Sequence, residues 1–232
     1  MIPWTQLDTA LIPGGGGDLR LKQRGREFSI MLGANELMNS RLSGSEEALA
    51  TLSFERIALK KQPSMLIGGL GMGFTLRAAL GVVPQDASVT VAELVPEVVA
   101  WGRGPMAEIF NGSLDDPRVD IHVGDVAALI RASKDRFDAI LLDVDNGPDG
   151  LTRASNDDLY SAAGLTAASE ALRLHGILAV WSSGPDAAFT RRLRDAGFAV
   201  EEIATRANGK RGGARHVIWL ARKAGSAAPR KS

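Results

Sequence analysis

Cysteine is absent from the 232 residues, so disulfides, thiolate nucleophiles and cysteine-based metal sites are all excluded. A chain without cysteine suits a reducing compartment, and we expect a cytoplasmic protein. Histidine is scarce as well. His122, His175 and His216 are the three in the chain, and they show no spacing typical of metal ligands. We therefore expect no bound metal.

Neither sign of charge is in excess, because 27 lysines and arginines balance 27 aspartates and glutamates. This balance gives no sign of a polyanionic partner, and the basic stretch 206–216 lacks the interleaved aromatics of nucleic-acid sites. No apolar run is long enough to span a bilayer, and the first residues lack a basic region followed by an apolar stretch. We expect neither a nucleic-acid partner, nor a membrane partner, nor a secretory signal.

The chain is predicted to divide into one main domain and two small terminal parts. Residues 1–43 are interpreted as a β-hairpin unit with a four-glycine loop at 14–17. Residues 44–222 are the predicted catalytic domain, and residues 223–232, which are small, polar and basic, are a predicted disordered tail. Short, partly alternating segments in the first unit predict strands at 19–22, 27–32 and 36–38.

From residue 64 onward, apolar segments alternate with helical ones, which predicts an α/β fold with a Rossmann-like, mostly parallel sheet of seven strands and helices on both faces. No helix separates the last two strands, so a final hairpin is expected to add one antiparallel strand. The predicted strands are 65–67, 88–92, 119–123, 137–142, 176–181, 198–204 and 214–221. The predicted helices are one that ends near Lys60, then 74–81, 96–109, 126–133, 157–173 and 186–196.

A glycine-rich segment, 68–73, follows the first of these strands and opens a helix. Glycines there permit a tight turn, let a ligand approach the backbone closely and leave the helix N-terminal amides free. Gly69, Gly71 and Gly73 are therefore candidate cofactor-binding residues. The same pattern also fits a turn without a ligand, or an NAD site in which glycines hold a pyrophosphate.

Two later carboxylates favour an adenosine site. Glu93 ends the second strand, where an acidic side chain accepts hydrogen bonds from both ribose hydroxyls. Asp125 and Val126 follow the third strand, where a carboxylate accepts from an adenine amino group and the next amide donates to a ring nitrogen. Ligands of open α/β sheets bind at the carboxyl ends of the strands, where all these residues are expected.

These motifs, in this order, resemble those of the spermidine synthases, a group within the class I S-adenosylmethionine-dependent methyltransferase superfamily. The resemblance implies an S-adenosyl sulfonium cofactor, either S-adenosylmethionine or its decarboxylated form, and a homodimer. It implies that Gly69, Gly71, Glu93, Asp125 and Val126 hold the nucleoside part. The segments that carry it are 66–77, Glu93, 115–119, 124–125, 137–143, 159–173 and 176–180.

Asp143 closes the fourth strand, and Asp145 follows it. In spermidine synthases the matching aspartate contacts the reacting amines and helps to deprotonate the nucleophile, so the resemblance implies Asp143 and Asp145 as catalytic residues. The chemistry requires such a group, because a sulfonium leaves without a general acid whereas an amine is mostly protonated at neutral pH and must lose a proton.

Several positions depart from the pattern of the family. Met72 stands where spermidine synthases carry an aspartate that disfavours the carboxylate of intact S-adenosylmethionine. Ser45 or Glu46 stands where they have a tyrosine, and their second aspartate after the fourth strand is either replaced by Asn146 or displaced to Asp145. Trp181 follows the fifth strand near the expected substrate edge. Met72, Glu46, Asn146 and Trp181 are the candidate substrate-binding residues.

The loss of the loop aspartate favours methyl transfer from S-adenosylmethionine to a small amine-bearing acceptor. The alternative is a polyamine aminopropyltransferase that uses decarboxylated S-adenosylmethionine, and the wide span of the resemblance favours it. A further alternative is a non-catalytic nucleoside-binding module, against which the retention of Asp143 argues. An NAD-dependent dehydrogenase would need a catalytic acid or base and a nicotinamide half-site, and neither is evident in the second half.

Overall fold

The computed structural model of the protein describes residues 2–144, 158–209 and 212–225. Within them, the N-terminal unit is a four-stranded antiparallel sheet in the order β1-β2-β3-β4. The first strand was not among those predicted, because only Ala10 of its seven residues is buried and its pattern carries no alternation. Its strands are β1 (Thr5–Leu11), β2 (Asp18–Arg24), β3 (Glu27–Leu32) and β4 (Asn35–Asn39).

The second sheet, as far as the chain is described, has seven strands in the order β10-β11-β9-β8-β5-β6-β7. Strand β11 runs antiparallel to β9 and β10, and the remaining pairs are parallel. The predicted Rossmann-like fold with one antiparallel hairpin strand is confirmed. The strands are β5 (Ser64–Gly68), β6 (Ser88–Glu93), β7 (Val119–Val123), β8 (Phe137–Leu142), β9 (Leu172–Ser182), β10 (Phe198–Arg206) and β11 (Arg215–Lys223).

Helices connect the strands of this sheet and differ from the prediction in two places. The predicted helix 96–109 is two helices, because the chain turns at Gly104, whose φ is −107° and ψ −111°. The predicted helix 157–173 ends at Ala171, where β9 begins at once. The helices are α1 (Gly44–Ile57), α2 (Phe74–Val82), α3 (Pro96–Arg103), α4 (Ala107–Phe110), α5 (Val126–Arg131), α6 (Ala162–Ala171) and α7 (Ala187–Asp195).

The core consists of two apolar clusters, one on each face of the seven-stranded sheet. Successive residues of β5 alternate between them: Met65 and Ile67 join one cluster and Leu66 the other. Helices α1, α2 and α3 and the N-terminal sheet pack on the first face, whereas α5, α6 and α7 pack on the second. Burial on both faces explains the continuous apolar runs of the central strands, 65–67 in β5 and 139–142 in β8.

The C-terminal strand extends further than predicted. Lys223 belongs to β11 and donates a hydrogen bond of 2.6 Å from its Nζ to the carbonyl of Leu172, so it is not part of the predicted tail. Residues 226–232 lie outside the described residues. In the described part of the chain, no helix has the length and apolar character needed to cross a membrane.

Candidate active site

The carboxyl ends of the parallel strands bring most of the predicted cofactor residues together. A cavity of about 150 Å³, the loop cavity, lies at this edge of the sheet and is lined by Gly69, Gly71, Glu93, Asp125 and Val126. Asp143 also faces it, from the end of β8. Residues that are far apart in sequence thus share one site, as the strand order predicts.

The glycine loop fits closely between neighbouring strand ends. Gly69 has a φ of +88°, and a Cβ there would lie 2.6 Å from the carbonyl oxygen of Asp143. The amide of Gly69 donates to the carbonyl of Ala92 at 2.9 Å, which anchors the loop to β6. The absence of a side chain is therefore required by the approach of β8, independently of any ligand.

Gly73 packs against a side chain, whereas Gly69 and Gly71 line the loop cavity. It is the N-cap residue of α2 with a φ of +75°, and a Cβ there would meet the Phe110 ring at 2.5 Å. The residues that line the loop cavity include Gly69 and Gly71 but not Gly73. This position gives Gly73 a role in packing against Phe110. Its predicted contact with the cofactor remains a prediction.

Glu93 is 8% exposed, and its carboxylate accepts hydrogen bonds from the backbone of two separate turns. Its Oε2 accepts from the Leu70 amide at 2.9 Å and its Oε1 from the Val95 amide at 2.8 Å. Burial raises the pKa of this carboxyl, and these backbone hydrogen bonds oppose the rise. An ionised carboxylate has about four acceptor positions, so both oxygens keep the capacity to accept a ribose hydroxyl.

Asp125 caps helix α5. Its Oδ1 accepts from the Ala127 amide at 2.9 Å, and its Oδ2 lies 3.9 Å from Nη2 of Arg131. Since the residue also lines the loop cavity, capping and ligand binding are compatible. The cap fixes the carboxylate at the helix N-terminus, beside the backbone amide of Val126.

The N-terminal sheet supplies the opposite wall of the loop cavity. This wall is apolar and suits the face of a purine base, which the polar edge of the large sheet alone would leave exposed to water. Sequence reasoning did not place these residues at the site, because their pattern is that of an ordinary half-buried sheet. They are Leu19, Ile30, Leu32, Leu37 and Met38, together with Ile12, which directly follows β1.

A second cavity of about 100 Å³, the acid cavity, adjoins the first and shares Leu37, Met38, Gly71 and Asp143 with it. Three of the four predicted substrate residues line it, namely Glu46, Met72 and Trp181. The fourth, Asn146, and the predicted catalytic Asp145 lie outside the described residues. Asp143 is the one predicted catalytic residue that the described part of the chain includes, and it borders both cavities.

The pKa values of Asp143 and Glu46 are both raised, and the charge of Glu46 contributes to the rise at Asp143. Burial, followed by the charge of Glu46, raises the pKa of Asp143 to about 7, although a hydrogen bond of 2.6 Å from Thr75 Oγ1 to Asp143 Oδ2 acts in the opposite direction. Burial also raises the pKa of Glu46. Among the described residues that line the acid cavity there is no lysine or arginine to offset these two carboxylates, so the cavity favours a positively charged ligand.

Thr75 and Ser45 are site residues that sequence reasoning missed as such. Thr75 is 3% exposed and connects α2 to Asp143, while Ser45 is fully buried and its hydroxyl donates to Glu46 Oε2 at 2.7 Å. A hydroxyl in the first turn of a helix is typical of capping, so neither position carries a signal of its own.

Fold and site together define a class of protein: a Rossmann-type domain whose loop cavity, at the carboxyl ends of the strands, adjoins a cavity lined by two acids. The model of the spermine/spermidine synthase domain matches residues 43–186 of this chain. The chain belongs to the spermine/spermidine synthase family.

Curated relatives are similar over part of the chain. The polyamine aminopropyltransferase of Sulfolobus acidocaldarius is 32% identical over 88 residues, which are 38% of this chain and 29% of that protein. The polyamine aminopropyltransferase of Mycobacterium tuberculosis (strain H37Rv) is 31% identical over 146 residues, 59% of this chain and 27% of that protein. The matched part is less than a third of either relative's own length.

Solved structures are similar over almost the whole chain. A spermidine synthase in complex with the transition state analogue AdoDATO superposes with a TM-score of 0.72 at 18% identity, over 94% of this chain and 72% of that chain. The spermidine synthase of Thermotoga maritima has a TM-score of 0.71 at 19% identity, over 96% and 72% of the two chains. At this identity the likeness shows the fold.

Proposed function

We propose that the protein is an aminopropyltransferase that uses decarboxylated S-adenosylmethionine and a small amine acceptor. The observation that carries the proposal is the position of Asp143, which borders both the loop cavity and the acid cavity, while Glu46 lines the latter as well. An ammonium held between the two carboxylates would lie next to the ligand of the loop cavity. The names of the curated relatives support the same activity.

Methyl transfer, which the sequence analysis favoured because of Met72, has no support among these relatives. Met72 is 3% exposed and contributes an apolar surface to the acid cavity. Its presence removes one acid from the pocket and leaves Glu46 and Asp143 to bind the amine. We therefore prefer the aminopropyl alternative to methyl transfer.

The residues of the loop cavity suit an S-adenosyl group. Glu93 has free acceptor capacity for ribose, Asp125 offers an acceptor beside a backbone amide, and the wall from the N-terminal sheet is apolar. When bound, the sulfonium group supplies an electrophilic carbon and a neutral thioether leaving group.

The described side chains account for the rest of the reaction. Glu46 and Asp143 bind the acceptor ammonium and orient it, which lowers the entropy cost of the attack. Asp143, with a pKa of about 7, takes the proton that the ammonium must lose. The amine nitrogen then forms the new N–C bond while the C–S bond breaks and its electron pair passes to sulfur.

The coproduct distinguishes the two transfers. The purified protein would be incubated with each form of the cofactor and a series of α,ω-diamines, and the products separated and identified by mass spectrometry. Aminopropyl transfer releases 5′-methylthioadenosine and lengthens the amine, whereas methyl transfer releases S-adenosylhomocysteine. Formation of S-adenosylhomocysteine alone would overturn the proposal. Binding of the decarboxylated cofactor without turnover of any amine would indicate the nucleoside-binding module instead.

A further inference from the structure

A hydrogen-bonded chain leads from strand β11 to the acid cavity. Nδ1 of His216 lies 2.9 Å from Oγ of Ser45, and Ser45 Oγ donates to Oε2 of Glu46 at 2.7 Å. Ser45 has no exposed surface, and Glu46 lines the acid cavity. His216 itself does not line the cavity, so it acts on the cavity through Ser45.

The single hydroxyl proton of Ser45 sets the donor-to-acceptor direction of these two hydrogen bonds. When Glu46 is ionised it is only an acceptor, so the hydroxyl proton points to the carboxylate. Ser45 Oγ then has only lone pairs left for His216, and Nδ1 of His216 must carry the proton that joins them. The arrangement requires the Nδ1–H form of the imidazole.

His216 also braces a second wall of the acid cavity. Its ring meets the Trp181 ring edge to face, with centroids 4.8 Å apart and an interplanar angle of 72°, and Trp181 lines the cavity. One imidazole thus contacts both the residue that orients Glu46 and an aromatic wall.

The hairpin of β10 and β11 is fastened to the start of helix α1 at the same place. The amide of Gly44 donates to the carbonyl of Ala207 at 2.9 Å. A Cβ at Gly44 would overlap the backbone of Gly209, so this approach needs glycine. The helix end that carries Ser45 and Glu46 is therefore held by the hairpin that carries His216.

We propose that His216 and Ser45 are positioning residues that aim the Glu46 carboxylate into the acid cavity and thereby set the affinity for the amine acceptor. The proposal rests on the proposed function in one respect, that the ligand of the acid cavity is an amine. The hydroxyl of Ser45 lowers the pKa of Glu46 against the effect of burial, which favours the charged form that binds an ammonium. Removal of either positioning side chain leaves Glu46 free to rotate or to take up a proton.

Steady-state kinetics separate this role from a general loss of structure. Ser45→Ala and His216→Ala are expected to raise KM for the amine roughly tenfold to hundredfold, the range for a lost hydrogen bond to a charged group. KM for the sulfonium cosubstrate is expected to change less than about twofold, because these residues do not line the loop cavity. Ser45→Thr, which keeps the hydroxyl, and His216→Asn, which keeps a nearby N–H donor, are expected to restore most of the amine affinity.

Two residues elsewhere in the protein provide matched controls. Ser53→Ala removes another fully buried hydroxyl of α1, one that donates to the Leu49 carbonyl at 2.6 Å. His175→Asn changes an exposed histidine whose φ is +63°, a conformation that asparagine tolerates. Neither control is expected to alter KM for the amine. An equal rise in both controls would overturn the positioning role.

Glu46→Gln tests whether His216 and Ser45 act through Glu46. In that background, Ser45→Ala is expected to change KM for the amine less than about twofold, because the carboxylate it orients is gone. Full additivity of the two effects would overturn the proposal.

Imidazole nitrogen spectra give a readout that needs no turnover. With three histidines in the chain, His216→Asn assigns the signal of His216. The wild type is expected to show the Nδ1–H form at neutral pH, and Ser45→Ala to lose it; a wild-type Nε2–H form would overturn the proposal. If no amine is aminopropylated, calorimetric titration with a diamine still measures the affinity, so weaker binding by Ser45→Ala would support positioning even though the proposed reaction had failed.

Discussion

The raised pKa of Asp143 lowers the stability of the folded protein, and the same raised pKa suits the residue to accept a proton near neutral pH. In the folded protein it keeps its proton up to about pH 7, whereas its ordinary pKa is 3.8. The folded state therefore binds more protons than the unfolded state between these values, and its stability falls as pH rises through that window. The full cost, up to about 4 kcal/mol by the usual conversion, is present above pH 7.

Asp143→Asn is expected to remove that cost together with the activity. Turnover should fall by about 10²- to 10⁴-fold, the usual contribution of a general base. The melting temperature should rise relative to wild type at pH 8 and differ much less at pH 5. Thermal unfolding at the two pH values, with the coproduct assay, checks both parts.

Asp138→Asn is the matched control, in the strand that ends just before Asp143. Asp138 is 2% exposed, and its Oδ2 accepts from the Ser64 amide at 3.0 Å and from Arg173 Nη1 at 2.7 Å. Loss of this paired charge should destabilise the protein by about 1–3 kcal/mol. A gain in stability from both substitutions would contradict the account given for Asp143.

Thr75 is expected to adjust the pH range of the reaction. Its hydroxyl donates to Asp143 and lowers the pKa of that carboxyl. Thr75→Val should therefore raise the pKa of Asp143 further and move the acidic limb of the kcat/KM profile to higher pH, whereas Thr75→Ser should leave the limb in place. An unchanged profile in Thr75→Val would show that Asp143 is not the titrating base.

At the scale of the element, α2 and its N-cap position hold two glycines with opposite requirements. Gly73 starts the helix with a φ of +75° against the Phe110 ring, whereas a Cβ on Gly81, near the helix end, would meet no atom within 4 Å. One glycine is required by the fold, and the other is a helix residue that alanine can replace.

Gly81→Ala is expected to stabilise the protein by about 0.5–1 kcal/mol, and Gly73→Ala to destabilise it by more than about 2 kcal/mol through strain and overlap with Phe110. Urea denaturation of both variants measures the two effects. Similar stabilities for the two would mean that the loop conformation does not depend on Gly73.

At the scale of the whole molecule, the two sheets form one site. The loop cavity has the strand ends and glycine loop on one side and Leu19, Ile30 and Met38 of the N-terminal sheet on the other. Trp101 of α3 donates from Nε1 to Asp8 of β1 at 2.7 Å, which joins the sheet to the main fold. A ligand in this cavity contacts both units.

Binding of 5′-methylthioadenosine should slow amide hydrogen exchange in β3 and β4 as well as in the glycine loop. The reason is that a ligand in contact with both walls stabilises the folded arrangement of both by mass action. Hydrogen exchange read by mass spectrometry, with the ligand-free protein as reference, gives the measurement. Protection restricted to residues of the large sheet would show that the N-terminal sheet does not take part in binding.

Much of the fold and part of the site follow from the sequence by local rules. Alternating apolar strands and helices predicted the seven-stranded sheet. Because the end of a strand is a local feature of the sequence, Glu93, Asp125 and Asp143 could each be assigned to the edge of the sheet formed by the carboxyl ends of the parallel strands. The sequence did not reveal β1, whose burial pattern is almost wholly exposed. It could not predict the wall formed by Leu37 and Met38 either, because that depends on how one sheet packs on another.

The sequence by itself determined the order of the elements, the glycine turn and the acids at the strand ends, since short-range sterics and hydrophobic periodicity decide these features. Only the tertiary structure decided the surroundings of those acids. The burial that raises the pKa of Asp143 comes from several elements at once, and His216 reaches Ser45 across 171 residues of sequence. Distances of that kind are set by packing, which no local pattern encodes.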